Sequence, residues 1–245
     1  MHKPGFVQHD NPAVGNGIHQ AFRHSRTDMV ARIMLARVMR TILSAAILLM
    51  LALLAACDSG TSNTPAAKPE PKPPELLTGR SAFQKTFIAA RGWARDAQPF
   101  RIESLATSEG HGQDGKWAVW RAGFASPSQR AVKPYAWSGS ADADAPSRGV
   151  SPGTEDNYNP GNSSTQIFDV AFLKVDSDQA FAAAQKHGGD KVLEKDPATT
   201  VLYICDWNHN TNELVWHVIY GSSRESAKLT VAVNASSGEF IRVEK

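Results

Sequence analysis

Apolar residues recur along this chain at three different spacings, and each spacing predicts a different element. Near the start, Thr41 to Ala56 is an unbroken uncharged run ending Leu54-Ala55-Ala56-Cys57. Further on, Phe83, Phe87 and Ala90 fall at i, i+4 and i+7, one face of a helix over 81–92. A second helix is expected over 178–189, where Ala180-Phe181 matches Ala82-Phe83 and a glycine again stops the run. Elsewhere the period falls to two, the signature of strands. Strands are expected at 100–105, 116–125, 131–138 and 167–172, and again at 199–207, 213–221, 227–234 and 240–243. Trp120-Arg121-Ala122-Gly123-Phe124 occupies the same place after the first helix as Trp216-His217-Val218-Ile219-Tyr220 after the second. Both put an aromatic pair on one strand face, four residues apart.

The order helix then four antiparallel strands, twice over, predicts an α+β fold in two tandem units, 79–173 and 174–245. The first unit carries an insertion at 140–165, rich in Ser, Gly, Pro, Asp and Asn, and expected to be a loop. Residues 58–78 hold five prolines and read as a semi-extended tether. Both faces of the second sheet are apolar. Tyr203, Cys205, Leu214, Trp216 and Val218 line one, and Leu202, Ile204, Val215 and Ile219 the other. Such a sheet needs cover on both faces. The helix is expected on one; the other must meet the sister unit, a ligand or a partner protein, and packing of unit on unit is the favoured reading.

The uncharged run follows Arg32, Arg37 and Arg40 and ends in small residues before Cys57. A cationic n-region, an apolar h-region and a small-residue site make an export signal, here 39–56. The sequence Leu54-Ala55-Ala56-Cys57 resembles the lipobox of bacterial lipoproteins. The resemblance implies cleavage between Ala56 and Cys57, lipid on Cys57, and an envelope protein facing the periplasm. Asp58 resembles an inner-membrane retention signal. A retained membrane helix is the alternative, but Ile42–Ala56 is 15 residues, short of the ~20 a span requires. Met29, Met34 or Met39 fits better as a start than Met1, so residues 1–38 are expected to be an upstream extension or part of the n-region.

The second unit also resembles a PepSY domain. The likeness rests on Val175-Asp176-Ser177-Asp178 at the helix start, Leu214-Val215-Trp216-His217-Val218 in mid-sheet, and Leu229 to Glu239, where Asn234 replaces the family's usual Asp. It implies a helix on a four-stranded antiparallel sheet, PepSY- or cystatin-like, and a non-catalytic binding or regulatory role toward envelope peptidases or other proteins.

The full chain has formal net charge +2. Beyond the signal, 20 Lys/Arg face 22 Asp/Glu, which gives no reason to expect nucleic acid. With Cys57 lipidated, Cys205 is the one remaining thiol. Its setting in Val201-Leu202-Tyr203-Ile204 makes it a small buried hydrophobe. Short catalytic signatures such as Gly-x-Ser-x-Gly, a phosphate loop, His-Glu-x-x-His or Cys-x-x-Cys are absent. No cofactor or metal is expected. Asp206-Trp207-Asn208-His209-Asn210 starts like a calcium loop but lacks its glycine and its final glutamate. It reads as a hairpin turn.

Asp206 and His217 are the one dyad the pattern allows. If the turn at 208–212 aligns the two strands, His217 opposes Ile204 and lies diagonal to Asp206. Such a pair is either a general-base dyad in a pocket, the enzyme or ligand-carrier alternative, or a polar pair near a sheet end whose loss is mild. The second reading is favoured, so no catalytic residue is assigned.

Overall fold

The computed structural model describes residues 72–245. The export signal, Ala56, Cys57, Asp58 and most of the tether lie outside the described residues. Strand β1 (Leu77–Thr78) leads into helix α1 (Gly79–Trp93). Then come β2 (Gln98–Leu105), β3 (Lys116–Trp117), β4 (Val119–Ser126) and β5 (Ala131–Ser138). Two short strands follow, β6 (Gly149–Pro152) and β7 (Asp156–Asn157). Helix α2 (Ser177–Ala184) passes through a kinked turn at Gln185–Gly189 into α3 (Asp190–Lys195). The chain ends in β8 (Val201–Asn208), β9 (Glu213–Tyr220), β10 (Leu229–Asn234) and β11 (Phe240–Val243).

The protein is α+β, with one large antiparallel sheet in the order β11-β10-β9-β8-β2-β4-β5-β6, and β7 also beside β5. Alternation set which side chains point inward. Val201, Tyr203 and Cys205 of β8 are fully buried under the helices, while Leu202, Ile204 and Asp206 face the other way, half-buried. Helix α1 buries Ala82, Phe83, Thr86 and Ala90. Phe83 and Phe87 stack on Phe124 of β4, at ring-centroid distances of 5.9 and 6.0 Å. Phe181 of α2 stacks on Tyr220 of β9.

The two sequence units do not pack face to face, which corrects the expectation. They lie side by side. Their leading strands pair antiparallel, Arg101 opposite Asp206, Ile102 opposite Cys205 and Glu103 opposite Ile204. The physical reason is that an unpaired strand edge leaves a row of backbone donors and acceptors unsatisfied, and this pairing removes two such edges at once. A second correction concerns the first unit. The expected strand at 167–172 is irregular, with a 3-10 turn at Val170–Phe172. The ladder beside β5 comes instead from β6 and β7, inside the stretch expected to be a loop. Backbone pairing needs no apolar alternation when a strand lies at a solvated edge.

The N-termini of α1 and α2 meet. Asp176 caps its own helix in a capping box with Gln179. The same carboxylate accepts from the Thr78 hydroxyl (2.7 Å) and the Arg80 amide (2.8 Å) of α1. The Gly79 amide donates to the Ser177 hydroxyl at 2.8 Å. One side chain thus satisfies orphan donors of two helices. Below this junction, Trp120 Nε1 donates to the Leu77 carbonyl (2.8 Å) and Trp216 Nε1 to the Val175 carbonyl (3.0 Å). Each carbonyl directly precedes a helix-capping residue, and the two indoles meet edge to face at 6.4 Å.

Candidate functional site

The sheet face away from the helices carries the charges. Period-two alternation puts Arg101 and Glu103 of β2, Asp206 of β8 and His217 of β9 on it, and β11 with its tail adds Arg242 and Glu244. In register, Ile204 opposes His217, as the hairpin argument predicts. Asp206 lies diagonal to His217 and the two bond, His217 Nε2 to Asp206 Oδ1, at 3.2 Å. The turn between them is a polar hairpin, in which Asn208 Oδ1 accepts from the Asn210 amide.

The pair belongs to a longer chain of charges. His217 Nδ1 meets Glu244 Oε2 at 2.7 Å. Arg101 donates to the other oxygen of Asp206 at 3.2 Å, and Arg242 to the other oxygen of Glu244 at 2.7 Å. The order is Arg101–Asp206–His217–Glu244–Arg242, alternating in sign. His217 is 7 % exposed. Burial alone would lower its pKa, but the hydrogen bonds and charges of Asp206 and Glu244 outweigh this and raise it. Burial alone would raise Asp206, but bonding and charge from His217, with the charges of Arg101 and Arg224, hold it below the ordinary carboxylate value. Glu244 is held low against burial by His217, Arg242 and Arg224. The raised value favours the protonated imidazole, in which each ring N–H donates to one carboxylate.

A cleft of about 330 Å³ opens beside this chain of charges. Arg224, Trp207 and His209 from the strand ends, Phe100, and Ser163 and Gln166 from the segment after β7 complete its walls. Phe100 is the extra residue of a bulge between Pro99 and Arg101. Cys205, next to Asp206 in sequence, points the other way. It is a buried free thiol, raised well above the ordinary value by burial and then by the charge of Asp206. It takes no part in the site. Among the described residues, no group of three or more His, Cys, Asp or Glu is arranged to hold a metal ion.

Asp206 and His217 come together as their spacing implied. Arg101, Arg242 and Glu244 were not found from sequence. Arg101 and Glu103 alternate with apolar neighbours, and Arg242 and Glu244 do the same in the last strand. That alternation marks two polar strand faces but not their meeting on one surface.

Among the described residues no helix is long and apolar enough to cross a membrane. No family model matches the chain, and no curated protein matches it in sequence. Among solved structures, a candidate lipoprotein from Clostridium difficile 630 is similar at 10% identity and a TM-score of 0.45, over 66% of this chain and 91% of its own.

Proposed function

We propose that the chain is a lipid-anchored protein of the cell envelope, facing the periplasm, with two PepSY-like halves and a non-catalytic binding role toward an envelope protein or peptidase. The observation that carries the location is Leu54-Ala55-Ala56-Cys57 closing a cationic, apolar segment. The two-repeat reading draws on the matching indole bonds before each helix cap and on the two helices lying on equivalent hairpins. The non-catalytic reading draws on His217. A general base must offer a free nitrogen lone pair to its substrate. Both nitrogens of this imidazole are already engaged, with Asp206 and Glu244.

Metabolic labelling with a radioactive fatty acid tests the anchor. The natural chain is expected to take up label and to fractionate with membranes. The Cys57→Ser chain is expected to take up none and to accumulate as the uncleaved precursor. A Cys57→Ser chain that matures normally and appears in the soluble periplasmic fraction refutes the proposal.

A further inference from the structure

We infer that the cleft beside His217 is a binding site for a small oxyanion, a carboxylate or phosphate group, held by Arg101, Arg224 and Arg242. Three features of the cleft lead there. The first is its charge. Three arginines face two carboxylates, in a chain whose part beyond the signal has a slight acidic excess. The second is how the carboxylates are used. Each has one oxygen on His217 and the other on an arginine, so both negative charges are matched within the network by Arg101 and Arg242 and the charge of Arg224 is left in excess. Arg224, among the described residues, has no ion-pair partner, although its charge reaches both Asp206 and Glu244.

The third feature is an orphaned donor. Nε of Arg101 is buried and has no hydrogen-bond partner. A buried N–H left unpaired is costly, so native structures rarely keep one. Arg101 gives a single guanidinium nitrogen to Asp206. Nε itself is sealed from solvent, but the Arg101 side chain is 36 % exposed and its Nη1 bonds no described group, so the guanidinium has donors left for an oxyanion in the cleft. Guanidinium groups suit carboxylate and phosphate because their planar forks present paired donors. Trp207 and Phe100 also line the cleft, so the anion is expected on a small organic molecule whose apolar part can rest against them. The site depends neither on the lipid anchor nor on a protein partner.

The test uses the full chain in detergent, labelled with 15N at arginine. Inorganic phosphate and succinate are the probes, and nuclear magnetic resonance follows each arginine Nε–H signal. The Arg101 signal is expected to move and to saturate with one probe or both; the probe that moves it identifies the group preferred. Calorimetry is expected to show binding about tenfold weaker in Arg224→Ala, as one charge-assisted hydrogen bond is lost. Arg224 is exposed and bonds no other described side chain, so this variant is expected to melt like the natural chain. Lys85→Ala, on the exposed face of α1, is the control and is expected to bind normally. An Arg101 signal that neither probe moves at millimolar concentration overturns the inference. So does an Arg224→Ala chain that binds as tightly as Lys85→Ala, because the anion is then held by unspecific surface charge.

Discussion

His217 is buried between two carboxylates, Asp206 from β8 and Glu244 from the end of the chain. This geometry fixes how stability responds to pH. His217 titrates at 6.5 when unperturbed, and folding raises that value. Its contribution is therefore complete below pH 6.5 and fades as pH climbs through the raised value. Asp206 and Glu244, at 3.8 and 4.5 when unperturbed, are lowered by folding. Their contributions are complete above those values and fade as pH falls. The network is strongest between pH 4.5 and 6.5. Removing the centre of the chain leaves two carboxylates facing each other with little water. His217→Ala is thus expected to lose about 3–5 kcal/mol, where the sequence suggested a mild effect. Melting temperatures across pH check this. The natural chain is expected to lose stability above pH 6.5 through this group, and His217→Ala to lack that limb. Parallel curves for the two chains refute the account.

Helix α1 holds two glycines whose surroundings are opposite. Gly79 opens the helix against the indole pair. A Cβ built there would lie 2.6 Å from the Trp216 ring and 3.1 Å from that of Trp120. Gly92, near the other end, has nothing within 4 Å of the same position. Alanine favours a helix interior over glycine by about 1 kcal/mol. At Gly92 this gain stands alone, so Gly92→Ala is expected to stabilise the protein by up to about 1 kcal/mol. At Gly79 the added methyl forces apart two rings fixed by hydrogen bonds to Leu77 and Val175, and overpacking costs about 1–3 kcal/mol. Gly79→Ala is therefore expected to destabilise. Urea denaturation of the two variants checks the signs. A stabilised Gly79→Ala would mean that the helix does not approach the indoles this closely.

Across the whole molecule, the halves share one sheet, one capping carboxylate and one edge-to-face pair of indoles. The β2–β8 seam has three residue pairs in register, reinforced by the Tyr203 amide donating to the Ser104 hydroxyl at 2.9 Å. Separating the halves opens β8 as an edge, strips the α1 side from Trp216 and leaves Asp176 capping one helix where it had capped two. A unit of about 70 residues has little stability to spare. Residues 174–245 expressed alone are expected to give no cooperative thermal transition by circular dichroism, while the full chain unfolds in one step. A cooperative melt of the fragment would show that the seam is an interface between independent domains.

The strand expected at 167–172 did not form, whereas the strands other than β6 and β7, the two helix starts, the Trp120 and Trp216 correspondence and the Ile204–His217 register were legible in the chain itself. Each is a local property. Alternation tells which side of a strand is buried, capping residues mark where helices begin, and a hairpin turn fixes the register of the strands it joins. The seam was not legible, nor was the edge formed by β6 and β7, nor the convergence of Arg101, Arg242 and Glu244 on His217. These depend on which strand edge meets which. Edges pair through backbone groups that are nearly the same in every residue, so a side-chain pattern says little about the neighbour chosen. Sequence alone determined most of the elements, their inward faces and the polar pair at 206 and 217. Tertiary structure alone decided that the two halves close each other's open edges and that Arg101, Arg242 and Glu244 join Asp206 around one buried imidazole.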